Sequence, residues 1–90
     1  MEASYDPDAD AAYVTIRARR GSGRTEVAGD GTVLDREDET GEITGYELLS
    51  VSHRGLDAFQ AVPPAARQLV ARAMDAARAR GSYIRIAERE

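Results

Sequence analysis

Asp6, Asp8 and Asp10 occupy alternate positions in Asp6-Pro7-Asp8-Ala9-Asp10. That is the spacing with which a calcium-binding loop opens, and carboxylate oxygens are what a hard divalent cation takes. These three acids are the metal candidates of the chain. The remainder of such a loop is missing, because Ala11 stands where the sharp turn needs glycine and Arg17 where a bidentate acid closes the cage. The same residues also suit a turn. Pro7 presets φ, an Asp side chain accepts a backbone N–H two residues on, and Asp6 or Asp8 could cap one helical turn over Ala9–Ala12. No other residue set calls for a cofactor.

A second set is Ser52, His53 and Asp57, the residue types of a hydrolytic triad. No nucleophile-elbow motif surrounds them, and neighbours on an extended chain point apart. A lone His with no Cys cannot complete a zinc site. His53 is therefore expected as an exposed loop residue. Asp35, Glu37, Asp38, Glu39 and Glu42 form an acidic cluster that could attract a cation or a basic protein, and that reads as a solvated hairpin tip. Glu47 stands mid-strand between Tyr46 and Leu48, where a free charge is costly to bury. It must face solvent, accept backbone bonds or pair with an Arg, and pairing with Arg17 or Arg85 is the expectation.

Stepping outward, these residues need a small sheet to position them. The chain has 90 residues, 42% hydrophobic and 31% charged, the balance of one ordered globular domain spanning 1–90. It has no cysteine, so packing alone must hold the fold. Residues 1–50 carry 12 acids against 5 arginines, and residues 51–90 carry 4 against 7. The net acidity argues against nucleic-acid binding, although Arg17, Arg19, Arg20 and Arg24 cluster at one hairpin end. No apolar run is long enough for a membrane helix and the acidic N-terminus is not a signal peptide, so a cytoplasmic location is expected.

The pattern predicts a first strand at Glu2–Tyr5 and a second over Ala12–Arg19, where Val14, Ile16 and Ala18 share a face. A short strand over Thr25–Ala28 precedes a hairpin of Thr32–Arg36 and Glu42–Val51, closed by an acidic turn ending in Gly41. In the last of these, Thr44, Tyr46 and Leu48 share one face, and both faces carry apolar residues, as in a central strand covered in part on both sides. Gly45 marks a bulge or a close approach to the backbone. After a connector holding Phe59, Pro63-Pro64 opens a helix running to Arg80, with Gly81 as its C-cap. Ala66, Leu69, Val70, Ala73, Met74 and Ala77 fall on one arc of it. Ser82–Ala87 alternates as a final strand, whose pairing, within the chain or with a second subunit, is left open. The fold class is α+β: a small, mainly antiparallel sheet with one C-terminal amphipathic helix on it and a final strand.

Two stretches carry a family resemblance. Tyr5-Asp6-Pro7-Asp8-Ala9-Asp10-Ala11-Ala12-Tyr13-Val14-Thr15-Ile16 has a Tyr-Asp turn, an Asp-Ala step and a Tyr-led strand, and Gly41-Glu42-Ile43-Thr44-Gly45-Tyr46-Glu47-Leu48-Leu49 has a Gly, an apolar position, a second Gly and a Glu among apolar residues. Together they resemble the prokaryotic domain-of-unknown-function family numbered 2283, over about residues 3–52. Thr44 departs from the pattern, the turn Arg36–Thr40 is long, and Val62–Glu90 adds a helix and a strand. The resemblance implies a sheet-rich fold with no established activity. Since some relatives are encoded beside small toxin-like proteins, it also implies an antitoxin-like role. The sequence thus points to a non-enzymatic protein-interaction module that self-associates as a homodimer and binds a basic partner. Tyr5, Asp6, Asp10, Tyr13, Asp35, Gly41, Gly45 and Glu47 are its candidate structural or partner-binding residues. The alternative is a small protein that binds a ligand or divalent cation through the N-terminal acidic turn.

Overall fold

Five of the apolar-alternating stretches become neighbouring strands of one sheet, and Gly23–Val27 joins them as the sixth. The computed structural model describes residues 1–88; the last two residues of the Val62–Glu90 extension lie outside it. In order the elements are β1 (Glu2–Asp6), β2 (Ala11–Thr15), β3 (Gly23–Val27), β4 (Val33–Glu37), β5 (Ile43–Leu49), the short helix α1 (Val51–Arg54), a 3₁₀ turn at Leu56–Ala58, the long helix α2 (Pro64–Arg80) and β6 (Ile84–Ala87). The strands lie in the order β3-β4-β5-β2-β1-β6, and every neighbouring pair is antiparallel. This is the expected α+β architecture. β6 pairs with β1 of its own chain, with Glu2 opposite Ala87 and Tyr5 opposite Ile84.

Period-two alternation sorts the sheet into two faces. Ala3 and Tyr5 of β1, Ala12 and Val14 of β2, and Tyr46 and Leu48 of β5 are buried on one of them. Helix α2 lies there, against β1, β6 and β2. Its buried side chains are Ala66, Leu69, Val70, Ala73, Met74 and Ala77, the arc expected from the sequence. Burying a Leu or Val side chain contributes about 1.5–3 kcal/mol, so this arc is a principal source of stability. Pro64 opens the helix, and Gly81 closes it in the left-handed region at φ 71°, donating its N–H to the carbonyl of Ala77. Phe59 and Val62, fully buried, fill the core beside the helix start.

Local expectations differ from the structure at four places. Ala9–Ala12 forms no helical turn: residues 7–10 make a tight turn and β2 begins at Ala11. Asp10 takes a left-handed conformation there, φ 50°, which a short polar side chain tolerates. β2 ends at Thr15 rather than Arg19, because the amides of Ile16 and Arg17 both turn onto the carbonyl of Thr44. β5 stops at Leu49; Ser50 adopts φ 55°, which breaks the strand and starts α1 at Val51. Finally, among the described residues no helix packs on the second face of β5, where Gly45 is buried and Ile43 and Glu47 are half-buried.

Candidate functional site

The residues singled out from the sequence gather in three places. The first is a clip at the β1–β2 turn. Asp6 accepts the amide of Asp8 through Oδ1 at 3.0 Å, as a turn-forming Asp should. Asp10 points the other way. Its carboxylate accepts the Tyr5 hydroxyl at 2.6 Å, the Ser52 amide at 3.0 Å and the Ser52 hydroxyl at 2.9 Å, and His53 Nδ1 lies 3.1 Å away. Its carbonyl accepts the Val51 amide at 3.1 Å. Ser50 supplies no side-chain cap to α1, so Asp10 caps that helix from across the fold. Burial opposes ionisation of Asp10, but the bonds from Tyr5, His53 and Ser52 outweigh it and hold the carboxyl well below its ordinary value. The bond to Asp10, with burial, raises the Tyr5 hydroxyl above its own.

Asp6, Asp8 and Asp10 do not converge, and among the described residues no three His, Cys, Asp or Glu side chains are grouped to hold a metal. Ser52 and His53 lie on a helix, not an extended strand, and both reach Asp10. His53 is exposed as expected, but the Ser52 hydroxyl donates to the carboxylate instead of to the imidazole. The carboxylate that takes the Ser52 proton is held well below its ordinary value by its other donors and is a weak base, so the contacts of this trio read as a structural clip.

The second place is the β4–β5 turn. Glu37, Asp38 and Glu42 are each met by an arginine, while Glu39 stays exposed at the tip. Glu37 is 2% exposed and takes both guanidinium nitrogens of Arg17 at 3.2 and 3.3 Å, the amide of Arg20 at 2.8 Å and the hydroxyl of Thr40 at 3.1 Å. The Arg17 bonds, then the Arg20 amide, hold its carboxyl down at about 2. Arg17 also reaches Glu42 at 2.5 Å, and Arg24 reaches Asp38 at 3.3 Å. These partners neutralise Arg17 and Arg24 of the basic hairpin end as well. Gly41 closes the turn, its carbonyl accepting from Arg36 at 2.8 Å.

The third place is the sheet face that α2 leaves bare. Tyr13, Asp35, Gly45 and Glu47 come together there, with Tyr13 directly opposite Glu47 and Asp35 opposite Gly45. The Tyr13 hydroxyl donates to Asp35, and the hydroxyl end of its ring lies over Gly45. A Cβ at Gly45 would fall 2.8 Å from Tyr13 Cζ and 2.9 Å from the Val14 carbonyl, so only glycine admits the ring. The register slips between Asp35 and Arg36, a bulge beside that glycine. Both uses foreseen for Gly45 occur. Burial, then the Asp35 bond, pushes the Tyr13 hydroxyl up to about 12. Tyr13, Thr15, Arg17, Arg19, Asp35 and Thr44 border a shallow polar hollow of about 340 Å³. Glu47 is half-buried, and among the described residues it has no ion-pair partner. Arg17 is taken by Glu37 and Glu42, and Arg85 by Glu2 at 3.5 Å, so neither arginine expected to pair with Glu47 does.

A family model described as a protein of unknown function (DUF2283) matches residues 3–52, more than half of the chain. The chain belongs to this family. No curated protein and no solved structure matches it. The matched segment holds both Tyr5 and Asp10 of the clip and the Tyr13, Asp35 and Gly45 cluster. In this DUF2283 member the residues that carried the resemblance therefore build the frame: one set ties β1 to α1, the other seats an aromatic ring across β2, β4 and β5. Among the described residues, no helix is long and apolar enough to cross a membrane.

Sequence reasoning missed the union of Asp10 with Ser52 and His53. They stand 42 and 43 positions apart, and only the pairing of β2 with β5 brings them together. A signal was present: Ser50 precedes a run that reads as strand, yet Ser-Val-Ser-His-Arg-Gly has the ending of a short helix with C-terminal basic residues.

Proposed function

We propose that this protein is a non-enzymatic interaction module that presents the bare face of its sheet to a basic protein partner. The observation that carries this reading is Glu47: a carboxylate held mid-sheet without a cation, flanked on the same face by Val33, Tyr13 and the exposed Leu49. A half-buried charge is costly unless paired, and a partner's Lys or Arg would supply the missing counter-charge while its apolar neighbours cover Leu49. The acidic turn contributes less, since Glu37, Asp38 and Glu42 already have arginines. An antitoxin-like role, binding a basic protein encoded nearby, is the specific form this reading takes. The absence of a hydroxyl–imidazole contact at Ser52 supports a binding role over a catalytic one.

The test is titration of the purified product of the neighbouring gene against this protein at rising salt. Binding should weaken with salt, as screened charges require, and Glu47→Lys should lower affinity at least about tenfold, or about 1.4 kcal/mol. Binding that ignores both, or no binding, would overturn the reading.

A further inference from the structure

The free edge of β3 has a pattern that fits itself. Along a strand, backbone N–H and C=O groups point alternately to either side. Flanking β3, Ser22 accepts the Asp38 amide at 3.0 Å and the Ala28 amide donates to Thr32 at 2.8 Å. The register between these bonds is unbroken, so Arg24 and Glu26 direct their backbone groups to β4, and Gly23, Thr25 and Val27 direct theirs outward. β3 ends the strand order, and no other described strand takes up those outward groups.

We propose that two copies of this chain join edge to edge through β3, antiparallel about a two-fold axis at Thr25. Thr25 then faces Thr25 of the second copy and Gly23 faces Val27, so every outward backbone group of the strand is paired. The same register sets Arg24 against Glu26 of the second copy, twice. These are non-hydrogen-bonded sites, where Cα atoms approach to about 4.5 Å and opposite charges attract. A slip of two residues in either direction loses both charge pairs and part of the ladder. Within one chain Arg24 already reaches Asp38 at 3.3 Å and Glu26 pairs with Arg36; the Arg24 and Glu26 side chains remain about half exposed, so the contacts between copies extend those pairs into one network of alternating charge. Val27, 77% exposed, gains a neighbour where Arg19 lies over Gly23. At the opposite edge, β6 has only four residues, and no residue of β6 is acidic to answer Arg85. The result is one continuous sheet with the bare faces of both copies on the same side. The dimer extends the interaction reading to the edge and does not need a partner on the face.

A five-residue edge buries less than the roughly 1,600 Å² of a standard interface, so the dimer is reversible, with dissociation near about 10⁻⁵ M. Sedimentation equilibrium should show the mass rising from 9.7 kDa toward twice that value as concentration increases. Arg24→Glu and Glu26→Arg should each weaken association at least about tenfold, and the double variant R24E/E26R should restore it. The chain has no cysteine, which permits a direct register test. Thr25→Cys should cross-link on mild oxidation, since Cα atoms of a hydrogen-bonded pair lie about 5.5 Å apart, within disulfide range. Val27→Cys should not, since it meets its own copy only at roughly 13 Å. Both positions are exposed on the edge, and thermal melts confirm that each variant is folded. A parent that stays monomeric at about 0.5 mM, cross-linking of V27C equal to T25C, or a double variant no better than the singles would each overturn the proposal. None of these results bears on titration of the face partner, so the two readings fail separately.

Discussion

Asp10→Ala should be the most damaging polar substitution in the chain. It removes an acceptor for the Tyr5 hydroxyl, the Ser52 amide and the Ser52 hydroxyl, and it places Ala at φ 50°. A hydrogen bond to a charged group contributes about 1.5–3 kcal/mol where water cannot replace it. Ser52 and His53 are exposed and recover water, so only the bond from the buried Tyr5 counts in full. The left-handed backbone adds about 1 kcal/mol for a residue with a Cβ and no polar side chain. The expected loss is about 3 kcal/mol, a large share of the roughly 5–10 kcal/mol that holds a domain of this length. At about 4–8 °C per kcal/mol the melting temperature should fall by roughly 15 °C. Asp10→Asn keeps an oxygen and tolerates the backbone, so it should cost about 1 kcal/mol. Tyr5→Phe should cost a similar amount, and the pair should be non-additive in a double-mutant cycle. The pH response separates charge from shape. The carboxyl is held below its ordinary value of 3.8, so its contribution is complete above that pH and is lost as pH falls below it. Asp10→Asn should flatten that part of the acid limb. Urea titration across pH reads all of this. An Asp10→Ala variant within about 0.5 kcal/mol of the parent, or an unchanged acid slope in Asp10→Asn, would refute the clip.

Other outcomes follow from the same contacts. Gly45→Ala should destabilise by about 1–3 kcal/mol by chemical denaturation, because the new methyl meets the Tyr13 ring and the Val14 carbonyl. Glu37→Gln should remove acid sensitivity between about pH 4.5 and 2, since the carboxyl's lowered value makes its contribution present above that window and lost within it. Glu47→Thr should leave the melting temperature unchanged or raise it slightly, because a half-buried unpaired charge gives way to a strand former. A fragment ending at Val62 should show no cooperative thermal transition by circular dichroism, since Ala3 and Tyr5 would lose the cover of α2.

The sequence made the periodic elements legible. The α2 arc from Ala66 to Ala77 and the buried set Thr44, Tyr46 and Leu48 follow from spacing alone, because burial and helical or strand period are the same fact seen twice. Gly81 and Gly45 were readable for a related reason: one marks a left-handed helix end and the other a place where a side chain does not fit. What was hidden depends on distance along the chain. Nothing local shows that Arg17 will be spent on Glu37 and Glu42, and so nothing local shows that Glu47 will lack a cation. The ends of β2 and β5 were overrun because Ile16 and Val51 are good strand residues by type. Their backbones are drawn off by contacts to Thr44 and Asp10 that no window of sequence contains. The triad-like types at Ser52 and His53 were read as pointing apart, which holds for a strand and fails on α1.

The position of β1 has a consequence for the order in which the molecule is made. It precedes the other described strands in the chain, yet it sits inside the sheet between β2 and β6, and β6 follows all of them. The hairpins β1–β2, β3–β4 and β4–β5 can form from neighbouring segments as they emerge. Through all that time one side of β1 stays an open ladder, and Ala3 and Tyr5 stay uncovered until α2 arrives. The emerging chain thus carries a sticky edge until β6 arrives, and closing it joins residues about 80 positions apart. Such long-range pairing is slow, on the order of milliseconds to seconds. The helix and strand outside the matched family segment complete the sheet that this segment begins, and their arrival sets the moment at which the protein stops being vulnerable to pairing with the wrong edge.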